Sequence, residues 1–204
     1  CVDEAYAKSK HLIVKNIGNK FLIKYDKSKL TNENVNTLGM FRSIITDGKK
    51  IISMAPPKSY NSKDIGWLDD TCFDVDNSKY IMEEYHEGTM INVFWDEEIN
   101  DWDIATRSNI GGRCKYFKDS EHTFRYLYLD AINKMEEFDN DFSASFQNLN
   151  KEYSYSYVLQ HPKNKLVIPF INAKLILICK YKFVCHDNYC IAEQIKNYCD
   201  NDVV

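Results

Sequence analysis

Apolar and polar residues alternate over His11–Ile17 and again over Phe21–Tyr25, on either side of Gly18-Asn19. Period-two alternation around such a pair predicts a β-hairpin, because glycine and asparagine tolerate the positive φ of a tight turn. Phe41–Ile45 and Ile51–Met54 flank Asp47-Gly48 and predict a second hairpin. Pro56-Pro57 ends its second strand, since proline donates no ladder N–H. Tyr80–Trp95 reads as a long extended run with Gly88 inside it, and Asp96–Asp101 turns it into Trp102–Arg107. Phe124, Tyr128, Ala131, Met135 and Phe138 recur at helical spacing, with Ser120 as the N-cap. Tyr153–Leu159, Leu166–Phe170 and Lys174–Phe183 read as strands, the first two joined by a turn at His161-Pro162-Lys163-Asn164. A short helix over Ile191–Tyr198 follows. The sum is an α+β fold of antiparallel sheets with one main helix, in a single domain over residues 1–204.

Composition changes this picture little. The chain has 204 residues, 44% hydrophobic and 27% charged, which is ordinary globular usage and argues against disorder or a collagen-like chain. No apolar run reaches the ~20 residues that span a bilayer as a helix, so no membrane partner is expected. The net charge of −4 is unevenly spread. Residues 1–60 carry eleven cations and five anions, residues 61–104 two cations and thirteen anions. No arginine-rich stripe is present, so a general electrostatic grip on nucleic acid is not indicated, while a local basic pocket is compatible. Only four of the 26 cationic residues are arginine: Arg42, Arg107, Arg113 and Arg125. A chain so poor in arginine keeps it where a planar fork is useful. The seven cysteines are scattered and fit reduced thiols of a cytoplasmic protein better than a disulfide framework. Cys185, His186, Cys190 and Cys199 lack the spacing of a closed Cys₂–Cys₂ zinc site.

Four segments carry candidate chemistry. Phe41-Arg42-Ser43-Ile44-Ile45 is a strand bearing an arginine. Ala55-Pro56-Pro57-Lys58-Ser59-Tyr60-Asn61 is a rigid turn presenting a lysine and an aromatic ring that can stack on a base. Glu83-Glu84-Tyr85-His86-Glu87-Gly88-Thr89-Met90-Ile91 carries carboxylates and a glycine that lets a ligand approach the backbone. Thr106-Arg107-Ser108 offers hydroxyls and a guanidinium to an anion, with Gly111-Gly112 close behind. His86 and His161 are further acid–base candidates, although a lone histidine in a strand or turn is more often structural.

In order and spacing these segments resemble the adenylation domain of ATP-dependent RNA ligases of the bacteriophage type, in the covalent nucleotidyltransferase superfamily. Phe41–Ile45 resembles the family's Arg-Gly strand, and Lys58-Ser59-Tyr60-Asn61 its Lys-Phe-Phe-Asn turn. Tyr85-His86-Glu87-Gly88-Thr89-Met90-Ile91 is similar to the nucleophile motif Lys-x-Asp-Gly-Ser, and Thr106-Arg107-Ser108 to the cationic strand that follows. Tyr157-Val158 with Pro162-Lys163-Asn164-Lys165-Leu166-Val167 resembles the Phe-Glu strand and Pro-x-Asn-x-Ile-Val. The Glu-Gly-Thr-Met-Ile-Asn variant also resembles ligase-like proteins of large DNA viruses.

The resemblance implies a nucleotidyltransferase fold, ATP with Mg²⁺ or Mn²⁺, and adenylyl transfer to RNA ends that are then joined, as in RNA repair. Arg42, Lys58, Tyr60, Gly88, Thr89 and Arg107 would contact nucleotide, and Glu87 would serve the metal or ribose. The nucleophilic lysine of the family is Tyr85 here, and its Phe-Glu glutamate is Val158. A phenol with an ordinary pKa near ~10 needs activation to act as nucleophile. Lys58 is the substitute amine. These replacements raise a second expectation, a catalytically inactive nucleotide- or RNA-binding relative. The family's last strands are missing and the chain starts at Cys1, so a partial chain is expected.

Overall fold

The computed structural model describes residues 3–59, 84–118, 120–132, 146, 148–164, 167–186 and 189–195. Two antiparallel sheets organise them. Strands β1 (Leu12–Ile17), β2 (Lys20–Tyr25), β3 (Ile44–Thr46) and β4 (Ile51–Met54) form the first, in that order. The second runs β10 (Cys190–Ile195), β9 (Lys174–Cys185), β8 (Tyr153–Gln160), β5 (Thr89–Asp96), β6 (Asp101–Thr106), β7 (Asn109–Ile110). Helices α1 (Glu4–Ser9), α2 (Val35–Leu38) and α3 (Phe124–Ala131), with a 3-10 turn over Lys27–Lys29, complete the described elements. The fold is thus α+β, with α3 the longest described helix. No helix among the described residues is long and apolar enough to cross a membrane.

The three expected hairpins form where turn chemistry placed them. β1 and β2 pair around Gly18, whose φ is +62°, and β3 and β4 pair around Gly48, at φ +88°. β5 and β6 pair from Asn92↔Ala105 to Asp96↔Asp101, with Asn100 at φ +50° in the turn.

Three expectations are corrected. Ile191–Ile195 is strand, not helix: it pairs with β9 in unbroken register from Cys190↔Cys185 to Ile195↔Lys180. Residues 167–170 are not strand, because the backbone N–H groups of Val167 and Ile168 go to the Glu87 carboxylate instead of a ladder. The cap of α3 is Thr123, whose side chain accepts from Tyr126 N, so the helix begins three residues after the expected Ser120. The remainder of that helical pattern, at Met135 and Phe138, lies outside the described residues.

The six-stranded sheet is covered on both faces. Ile91, Val93, Trp102, Ile104, Tyr155, Tyr157 and Leu159 point to one side, against Phe124, Leu127 and Tyr128 of α3 and Phe146. Each fully buried side chain of this size contributes about 1.5–3 kcal/mol. Alternate positions point the other way. There Phe94 and Ala105 meet Ile45 of the first sheet. Beside this small apolar contact runs a polar seam. The buried Ser53 and Ser154 hydroxyls lie 2.7 Å apart, and Ser156 donates to Asn92 Oδ1 at 2.8 Å.

Candidate functional site

The motif segments stand at strand ends, and pairing decides which ends share a side. Ile44 opposes Met54, Ala55 N donates to Ser43 O, and Lys58 N donates to Gly39 O. The start of β3 at Arg42 and the exit of β4 at Lys58 therefore lie at one end of the first sheet. Asn92 opposes Ala105, so Gly88-Thr89, entering β5, and Arg107, leaving β6, share one end of the second sheet. Ile23 opposes Ile44, which puts Lys24 and Tyr25 at the Arg42 end. Lys24 Nζ donates to Ser108 Oγ at 2.6 Å, and Arg107 lies over the Tyr25 ring, 4.6 Å from its centroid. These contacts close the two ends onto each other. Four expected motif segments thus meet at one end of the sandwich.

Within that end they keep apart. Among the described residues no hydrogen bond, ion pair or ring contact joins Arg42, Lys58, Glu87 and Arg107 to one another. Lys58 is half-buried and its ammonium donates to Ser59 O at 2.6 Å. Arg42 is half-buried. Tyr85 is 87% exposed. Tyr60 lies outside the described residues.

Glu87, Gly88 and Thr89 are fastened to β8 and the loop after it. Glu87 Oε1 accepts from Val167 N and Ile168 N, both at 3.2 Å, and its carbonyl accepts from Gln160 Nε2 at 2.8 Å. Thr89 Oγ1 accepts from Asn164 Nδ2 at 2.9 Å. Gly88 has φ +150°, and a Cβ there would stand 2.6 Å from both Leu159 O and Val158 Cγ1. The space beside Gly88 is therefore filled by β8, and its missing side chain serves strand packing rather than ligand approach. The buried Val158 side chain fills part of it.

Glu87 is also the residue expected to serve Mg²⁺ or Mn²⁺. One of its oxygens is committed to two amides, and among the described residues no group of three His, Cys, Asp or Glu is placed to hold a metal. His161 is buried with both ring nitrogens engaged. Nε2 lies 2.7 Å from Asp130 Oδ2, and Nδ1 accepts from Lys163 N at 3.1 Å. An Nδ1 that accepts carries no proton, so the ring donates through Nε2 to Asp130 and acts as a tie between α3 and the loop after β8. His86 Nδ1 lies 3.6 Å from Glu84 Oε1. Cys190 is disulfide-bonded, which corrects the expectation of reduced thiols there, while Cys114 is a free thiol.

Two lysines missing from the sequence expectation belong to this end. Lys24 is half-buried, and burial lowers its pKa, helped by Lys15, Arg107 and Lys27. Lys15 Nζ donates to Ser108 O at 3.2 Å. Their only signal in the sequence is the excess of cations in residues 1–60, because the strands that carry them lie more than eighty residues before Ser108.

The opposite end of the sandwich holds a cleft of about 450 Å³ lined by Lys20, Asp96, Glu98, Trp95, Lys151 and Tyr153, among others, and by none of the expected site residues. Its charges are paired. Lys20 lies 2.8 Å from Asp96 and also bonds Glu98, and Lys50 lies 2.6 Å from Glu97.

A scan against protein-family models matches none, and no curated protein is significantly similar to this chain.

Proposed function

We propose that this chain is an RNA-ligase-like nucleotidyltransferase domain that holds ATP and RNA ends without forming the covalent adenylate. The observation that carries the reading is the convergence of Arg42, Lys58, Glu87-Gly88-Thr89 and Arg107 on one end of two packed antiparallel sheets. Two features favour binding over transfer. Tyr85 stands in solvent with no hydrogen-bonded base among the described residues, so its phenol keeps no activating partner. Val158 puts an apolar side chain where the family has a carboxylate.

Adenylyl transfer followed by joining of RNA ends is the second reading. The exposure of Tyr85 favours it, since a nucleophile must be reachable. Incubation with α-labelled ATP and Mg²⁺ or Mn²⁺ separates the two. Saturable ATP binding without label on the denatured protein supports the first. Covalent label supports the second, and its acid stability identifies the atom: a Lys58 phosphoramidate is acid-labile, a Tyr85 phosphodiester is not. Failure to bind ATP at all overturns both.

The reading goes with a cytoplasmic location, in an infected cell if the viral resemblance holds. The Cys190 disulfide would there face a reducing thiol pool. Thiol counting on protein taken from its native compartment checks that point.

A further inference from the structure

Lys15, Lys27 and Arg107 are the cations that bear on Lys24, and among the described residues no anion joins them. Lys24 and Lys15 both donate to Ser108, one to its hydroxyl and one to its carbonyl. Arg107 is laid on the Tyr25 ring and reaches the Tyr25 carbonyl only at 3.5 Å, and its Nε is buried with no hydrogen-bond partner. Among the described residues none of the four has a carboxylate partner. Asp26, two residues after Lys24, is spent elsewhere. Its carboxyl is held low by the Ser28 N–H and hydroxyl, then by Lys29 and His11. Like charges held together in a partly dry place repel unless something neutralises them.

The arrangement also has donors to spare. An ammonium has three N–H groups, and each lysine spends one on Ser108. The Ser108 hydroxyl accepts from Lys24 and keeps its own proton to donate. The geometry points to a phosphate-holding position built by Lys15, Lys24 and Arg107 around Ser108, which takes a phosphate monoester or diphosphate anion. A tetrahedral dianion uses several donors at once, whereas a lone carboxylate offers too few oxygens for this set. The position adds Lys15, Lys24 and Ser108 to the motif-bearing end. It rests on the cation geometry and stands whether or not ATP is the ligand of that end.

The same chemistry arrives on free pyrophosphate or on a phosphorylated RNA 5′ end, and the test keeps these apart. Calorimetric titration of the whole protein with inorganic pyrophosphate should show saturable binding, weakened about tenfold or more by Lys24→Met. Lys24→Met removes a half-buried charge, so the variant should melt no lower than wild type, and lost binding is then not lost folding. Ser108→Ala, which removes only a hydroxyl, should weaken binding in the same direction. Lys49→Ala, at the exposed turn between β3 and β4, should leave it unchanged. A 5′-phosphorylated oligoribonucleotide that binds more tightly than its 5′-hydroxyl twin assigns the position to RNA ends, while equal binding of the twins assigns it to free diphosphate. No saturable pyrophosphate binding, or equal binding by wild type and folded Lys24→Met, overturns the proposal. An ATP titration in parallel fails independently, and its failure alone removes the nucleotide reading and leaves the phosphate position standing.

Discussion

Strand β2 carries a lysine near each end, on the same face, and the two keep opposite company. Lys20 is buried beside Asp96 and Glu98. Burial pulls its pKa down, but the bonds to the two carboxylates outweigh this and raise it above 10.5. Lys24 sits four residues on, between them the fully buried Leu22. It meets a serine hydroxyl and three cations, and its pKa is lowered. One strand thus ends in a closed, neutralised ion cluster on one side and an uncompensated one on the other. A buried charge that serves the fold is matched by the fold. Among the described residues the charge of Lys24 is left unmatched, which is the position proposed above to hold a phosphate.

The largest expected effect breaks the closed end. Lys20→Met leaves Asp96 buried without its cation and should cost about 3–5 kcal/mol in urea unfolding. A loss below about 1 kcal/mol would mean that the closed end is not held by charge, and the contrast with Lys24 would collapse.

Gly88→Ala tests the rigidity of the open end. The added methyl meets β8 backbone and side chain at 2.6 Å in a backbone conformation reserved for glycine. A cost of about 2 kcal/mol or more is expected from the same unfolding measurement.

Alkaline pH sharpens the comparison, since the two lysines respond with opposite sign. The Lys20 contribution is fully present below pH 10.5 and is lost as pH rises through its raised value. The Lys24 penalty is present below its lowered value and is relieved as pH rises towards 10.5. Unfolding free energy followed against pH should fall at the alkaline edge in wild type and fall less in Lys20→Met. Lys24→Met should lack the relief and so fall more steeply. The smallest effect is on Lys24→Met itself near neutral pH, a gain of up to about 1 kcal/mol from removing like-charge repulsion. A clear loss would show that Lys24 has a partner within the fold.

Local chemistry explains which parts of this fold the sequence revealed. Gly18-Asn19 and Asp47-Gly48 announce their hairpins because a tight turn constrains its own residues. β10 was hidden, since Ile191–Ile195 is short and only its pairing with β9 decides between strand and helix. The Leu166–Phe170 stretch looks like a strand by composition, yet the Val167 and Ile168 amides are claimed by Glu87, a carboxylate about eighty residues earlier. The site divides in the same way. The order of Arg42, Lys58, Glu87 and Arg107 is visible along the chain, whereas Lys15 and Lys24 join Arg107 and Ser108 only through the stacking of one sheet on the other.

That stacking has an indexing pin. Apolar contact between sheets is nondirectional and by itself permits a lateral slip. The Ser53–Ser154 bond crosses between the sheets and is directional, and a slip of one residue, about 3.3 Å, would break it. The seam lies in the interior, yet it sets the alignment at the rim, where Lys24 must arrive opposite Ser108. Two hydroxyls in the middle of the molecule thus act as the vernier for a cluster of charges at its edge.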